Sequence, residues 1–279
     1  MHRTHVAVKS NPRLMLENIN LKKKLPREEY KRILPTLQGR LYDLEKACWD
    51  HGVPTVILFE GWDASGKGTT ISALTQRLDP RGFKLYPITA PRTYELQRPW
   101  LWRFWLKVPN RGEMVIYDHS WYGRVLEERV EGTVPEKAWK QAYRDIVDFE
   151  RMLADDGATI LKFFLHISKK EQKERFETIE KDPLEAWRVT SADWARLKKY
   201  DEYRVAIEDM LELTESEYAP WTIVEATSKW YARQKVFETI IAGIEMRLGP
   251  NAPPRTESEL SLKDADLREA MESLSKGGQ

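Results

Sequence analysis

The stretch Phe59-Glu60-Gly61-Trp62-Asp63-Ala64-Ser65-Gly66-Lys67-Gly68-Thr69-Thr70 constrains this chain more than any other. Gly61 and Gly66-Lys67 satisfy a G-x-x-x-x-G-K frame, in which successive main-chain N–H groups wrap a phosphate and the lysine reaches its outer oxygens. Larger side chains would block that wrap. The flanks agree: Thr55 to Phe59 reads as a buried strand, and Ile71, Leu74, Thr75 and Leu78 recur at helical spacing, which sets a helix N-terminus under the anion. The pattern predicts a phosphate site built by Gly61, Ala64, Ser65, Gly66, Lys67, Gly68 and Thr69, rather than an incidental glycine turn.

Two departures narrow this reading. The Ser or Thr that ordinarily follows the lysine and holds Mg²⁺ is replaced by Gly68, with hydroxyls only at Thr69 and Thr70. Asp63 sits mid-loop, where an unpaired carboxylate beside phosphate is strongly repelled unless a divalent cation lies between. Asp63 is therefore the first metal-ligand candidate, against a bland role as a turn or helix cap.

A length of 279 residues suits one α/β unit with additions. Lys and Arg number 45 against 44 Asp and Glu, a formal +1, so bulk charge does not point to nucleic acid. The lone Cys48 forms no internal disulfide, and the five histidines offer no zinc spacing. With no signal peptide and no long apolar run, a cytoplasmic protein free of the membrane is expected.

Residues 1–52 read as an arm followed by helices. The arm, 1–26, is polar and basic, and its alternative is a flexible tail. Beyond it Tyr30, Ile33, Leu34, Leu37, Leu41, Leu44 and Cys48 form a helical stripe that Pro35 is expected to split in two. The second strand is expected over Phe83–Thr89, with Arg92 just past its carboxyl end, where open α/β sheets bind ligands. An aromatic helix over Arg98–Lys107 follows. Most of its tryptophans read as core; the functional alternative stacks one ring on a nucleobase while Arg103 meets phosphate.

The third strand, Glu113–Tyr117, ends in Asp118, the position where phosphate-loop proteins hold magnesium through one carboxylate and several waters. Asp63 and Asp118 together suit Mg²⁺ or Mn²⁺ and not zinc. Arg124 is a phosphate candidate, whereas Arg129 is expected to pair with Glu128 or Glu131. Strands over Ala158–Ile167 and Trp221–Ala226, and a last helix over Lys229–Leu248, complete an α/β fold with a mostly parallel five-stranded sheet in a 53–248 domain.

Between the last two strands, 169–214 reads as a lid of two helices. Its cations could neutralise a moving phosphoryl group, Arg175 first and Arg188 second, although most of its lysines read as a solvated face because glutamates intermingle with them. The tail, 249–279, is expected to hold a loose helix over 257–274.

Taken together, Gly61-Trp62-Asp63-Ala64-Ser65-Gly66-Lys67-Gly68, Leu78-Asp79-Pro80-Arg81-Gly82, Leu101-Trp102-Arg103-Phe104-Trp105, Asp118-His119-Ser120-Trp121-Tyr122-Gly123-Arg124-Val125-Leu126 and Asp182-Pro183 to Trp187-Arg188 resemble the second family of polyphosphate kinases over about Leu16 to Leu248. The resemblance implies a thymidylate-kinase-like, three-layer P-loop fold with a helical lid. It also implies transfer of phosphoryl groups between inorganic polyphosphate and nucleoside mono- or diphosphates with Mg²⁺ or Mn²⁺. By that likeness Asp63 and Asp118 are the metal and catalytic acids, Lys67 and Arg124 phosphate binders, and Arg175 and Arg188 lid cations. The wording around Glu60 and over Glu127-Glu128-Arg129-Val130-Glu131-Gly132 resembles the branch that phosphorylates AMP to ADP, which often carries two fused domains. One phosphate loop is present here, so work as a single unit, assembled into homo-oligomers, is expected. His119 stands where the family usually has arginine and Glu185 where a lid lysine is common, each removing positive charge.

The loop, the acids and the lid predict direct in-line transfer. Three readings compete with it: a phosphoryl group carried on His119, an ATP-dependent nucleoside monophosphate kinase of related fold, and a non-catalytic polyanion binder.

Overall fold

In the computed structural model, which describes residues 16–256, strand Thr55–Gly61 (β1) runs through the middle of the sheet. Its first six residues are all buried, and Val56, Ile57, Leu58 and Phe59 supply apolar groups to both faces, as a central parallel strand requires. Phe83–Pro87 (β2), Met114–Asp118 (β3), Thr159–His166 (β4) and Trp221–Glu225 (β5) join it in the order β2-β3-β1-β4-β5, every neighbour parallel. Phe59 pairs with Asp118, so the loop after β1 and the acid closing β3 emerge at the same sheet edge. With β3 on one side of β1 and β4 on the other, that edge opens into the crevice where such sheets bind ligands.

The helices are Arg27–His51 (α1), Lys67–Thr75 (α2), Thr93–Leu96 (α3), Trp102–Trp105 (α4), Glu127–Val130 (α5), Glu136–Asp155 (α6), Lys169–Lys181 (α7), Ser191–Lys198 (α8), Tyr200–Leu213 (α9) and Lys229–Leu248 (α10). They complete the α/β layering that the sequence predicts. Among the described residues no helix is long and apolar enough to cross a membrane.

Three expectations give way. Pro35 does not divide the first helix: α1 runs unbroken through it. An interior proline costs about 3 kcal/mol, and burial of Tyr30, Ile33, Leu37, Leu41 and Leu44, with the Arg40–Glu245 pair to α10 at 2.7 Å, outweighs that. The aromatic stretch holds only the short helix α4, not one helix over 98–107: α3 ends before it at Leu96, and Pro99 lies in the break between the two. The lid holds three helices, α7 to α9, rather than two. Asp182-Pro183 stops α7, and Lys199, with φ −90° and ψ 17°, separates α8 from α9. Of the expected arm only the part from Leu16 is described, and the tail helix expected over 257–274 lies outside the described residues.

Candidate active site

Gly61 leaves β1 with φ +144°, and a Cβ there would stand 2.5 Å from the Leu165 carbonyl of β4, so only glycine lets the chain turn this close to the sheet. Ala64 adopts a left-handed φ of 56°, and Gly66, at φ +103°, caps α2. A Cβ on Gly68 would meet nothing within 4 Å. The first turn of α2 thus presents bare main chain, a ready anion site. Lys67 Nζ folds over the loop and donates to the carbonyls of Gly61 (2.7 Å) and Trp62 (3.1 Å).

Two polar atoms nearby are buried without a hydrogen-bond partner among the described residues: Ser65 Oγ and Asp118 Oδ1. A buried carboxylate oxygen left bare is costly, and a divalent ion would satisfy it. Asp63 shares a cavity of about 930 Å³ with Asp118, the loop, Arg175, Arg188 and the start of α10. The residues therefore fit Mg²⁺ or Mn²⁺. No group of three or more His, Cys, Asp or Glu among the described residues is placed to hold a metal, so phosphate oxygens and water would supply most of the shell, as is usual for magnesium.

A second cavity, of about 640 Å³, lies beyond β2 and β3 and is lined by Trp100, Arg103, Arg124, Glu127 and Arg196. His119 lines both cavities. Arg103 donates to the Thr89 carbonyl (2.9 Å) and faces Glu95 (3.5 Å); Arg124 pairs with Glu128 (2.8 Å) and stacks over Trp100. Each keeps a buried Nε without a hydrogen-bond partner among the described residues.

His119 is held at a left-handed φ of 59° by its N–H bond to Phe59 O (3.1 Å). Its Nδ1 faces Glu60 (3.4 Å) and Glu127 (3.8 Å), and Ser120 Oγ donates to Glu60 (2.7 Å). Burial and Lys67 push the imidazole pKa down, but the two carboxylates outweigh them and hold it above the ordinary histidine range. Burial first, then Glu60 and Asp63, raise the Glu127 carboxyl. Histidine thus keeps part of the charge that an arginine would carry at this position.

The lid cations are placed unequally. All five N–H donors of Arg175 are committed: Nε to Glu171 (2.7 Å), Nη1 to Ala64 O and Ser65 O (2.9 and 3.1 Å), Nη2 to Ala226 O and Thr227 O (2.8 and 3.0 Å). Arg175 is a staple between the phosphate loop and the end of β5. Arg188 lines the loop cavity but is paired with Glu185. Arg92 is exposed at the start of α3 and lines neither cavity. Arg129 joins Asp209 and Tyr143, each at 2.7 Å, instead of Glu128 or Glu131. The lid cation paired with the loop's acid is one the sequence did not single out: Arg196 of α8, whose Nε donates to Asp63 Oδ2 at 2.8 Å. Among several lid arginines, spacing alone carried no signal to prefer it.

A glycine-rich loop on a helix N-terminus, an acid at the end of the neighbouring strand and a helical lid over both define a P-loop kinase-like fold. Residues 24–251 match the family model described as polyphosphate kinase 2, and the chain belongs to that family. It is 43% identical over 242 residues to a polyphosphate:AMP phosphotransferase of Pseudomonas syringae pv. tomato, covering 86% of this chain and 48% of that protein. It is 37% identical to an AMP/ADP-polyphosphate phosphotransferase of Meiothermus ruber, over 81% of this chain and 85% of that one. The crystal structure of polyphosphate kinase 2 from Arthrobacter aurescens TC1 superposes with a TM-score of 0.81 at 29% identity, over 91% of this chain and 92% of that one. The chain spans about half the length of the first curated relatives it matches, 48%, 47% and 44%.

Proposed function

We propose that this protein transfers a phosphoryl group from inorganic polyphosphate to a nucleotide, with AMP to ADP favoured, ADP to ATP as a further step, and the reaction reversible. The observation that carries the reading is the pair of cavities meeting at His119 and the Asp63–Arg196 contact, one floored by the phosphate loop and the other walled by Trp100, Arg103 and Arg124. A donor chain needs the first and an acceptor nucleotide the second. The names of the relatives supply the substrate classes.

In this mechanism the loop amides and Lys67 hold the terminal phosphate of the donor, and the lid excludes water that would otherwise hydrolyse it. Arg103 and Arg124 line the second cavity and set their guanidinium charge beside the acceptor phosphate, and the Trp100 ring next to them takes the base. The acceptor phosphate oxygen is already anionic at neutral pH. It attacks the donor phosphorus in line, the new P–O bond forms as the old one breaks, and the shortened polyphosphate leaves with the electron pair. Positioning and charge neutralisation therefore dominate over base catalysis. Asp63 and Asp118 would hold the divalent ion, which when bound neutralises charge developing on the transferred group.

Supplying AMP with either polyphosphate or ATP tests the reading. ADP made with polyphosphate is expected; ADP made with ATP alone returns the protein to the ATP-dependent monophosphate kinases. Acid-labile phosphate trapped on His119 would replace direct transfer by a two-step route. A homo-oligomer in the cytoplasm belongs to the same reading, and light scattering of the purified chain checks the assembly.

A further inference from the structure

Asp63 is within reach of two kinds of cation. Arg196 Nε donates to its Oδ2 at 2.8 Å, while the carboxylate lines the loop cavity together with Asp118. Arg196 itself lines the other cavity, so the contact stands on the partition between the two and fastens α8 to the phosphate loop. We propose that Arg196 competes with a divalent ion for Asp63 and so gates the metal site, yielding the carboxylate when a phosphoryl group draws the guanidinium away. The inference rests on the phosphotransfer reading above.

The competition follows from charge and geometry. A guanidinium and a divalent ion on one carboxylate would set three positive charges against one negative charge within a few ångströms. While Arg196 holds Asp63, Asp118 is left as the uncommitted acid in the cavity, and a single carboxylate binds magnesium weakly. The pair is built to yield. The two side chains are 32% and 25% exposed, a setting in which an ion pair holds without being locked. Arg196 also donates to Asp193 of its own helix, so on leaving Asp63 it keeps a counter-ion and stays at the cleft. By linkage, phosphate that attracts Arg196 raises metal affinity, and metal on Asp63 frees Arg196 for phosphate.

The test measures Mn²⁺ binding to the whole chain with no nucleotide or polyphosphate present, by the electron paramagnetic resonance signal of free Mn²⁺. Arg196→Gln is expected to bind Mn²⁺ roughly three- to tenfold tighter than the parent. Arg196→Lys, which keeps a cation in reach, stays near the parent value, and the gain disappears in the Asp63→Asn, Arg196→Gln double variant. A damaged lid would not produce a gain. Binding by Arg196→Gln no tighter than the parent, or absent from both, overturns the gate. If the parent makes ADP from AMP and polyphosphate under that outcome, the gate alone has failed and the transfer reading stands.

Discussion

Asp118 concentrates the tension of the site in one carboxylate: Oδ1 is buried and unpartnered among the described residues, at the end of a strand whose other members are all buried. Such a group costs stability and is retained for chemistry. Asp118→Asn is expected to lower the transfer rate roughly 100-fold or more while leaving the thermal midpoint unchanged or higher; a fall in both would make it a structural residue. Glu45 shows a different tension. Burial pushes its carboxyl up to about 7, although the Asp79 amide donates to it at 2.7 Å and pulls the other way. Because its folded pKa lies above the unfolded one, its contribution is fully present below the ordinary carboxylate range and is lost as pH rises through about 7. Denaturant unfolding from pH 5 to 8 should show the parent losing up to about 3 kcal/mol relative to Glu45→Gln; equal slopes would show that Glu45 does not titrate this way.

At the scale of elements, the phosphate loop is shaped by its neighbours as much as by its glycines. Arg175 ties the carbonyls of Ala64 and Ser65 to those of Ala226 and Thr227, and Trp62 stacks on Tyr200 of α9 at 4.0 Å while donating to His166. Loop and lid are therefore one mechanical unit. Arg175→Ala should speed hydrogen exchange of the loop amides and raise KM for polyphosphate more than it lowers kcat. A pure loss of kcat with exchange unchanged would instead mark Arg175 as an arginine finger. The strand–loop–helix unit was legible because its period changes sharply from strand to helix around a glycine frame. Helix breaks were less so. Pro35 gave way to burial along α1, whereas Pro99 and Pro183 did interrupt their segments, where less apolar surface resisted them.

Across the whole molecule, the sheet carries a second charged centre apart from the phosphate site. Lys162 of β4 is fully buried and donates to Glu150 (2.8 Å), to Tyr122 Oη (3.0 Å) and to the Thr214 carbonyl (2.8 Å), while Trp121 and Tyr122 donate to Glu150. It links α6, β4, the turn after β3 and the end of the lid. Lys162→Met is expected to cost about 3 to 5 kcal/mol, because it leaves Glu150 charged and buried. Adding Glu150→Gln should restore much of that, since the amide oxygen still accepts from Trp121 and Tyr122; chemical denaturation of both variants decides.

By itself the sequence determined the parallel α/β order, the phosphate loop, the two acids and the lid's position. Each is written locally, in period, turn residues and strand ends. Which partner each arginine takes was decided only by tertiary structure. A long, flexible cation can reach many partners, and only the folded chain shows that Arg175 is spent on carbonyls, Arg188 on Glu185, and Arg196 on Asp63. The same holds for His119, whose charge depends on Glu60 and Glu127 arriving from separate segments at distances that no spacing rule encodes.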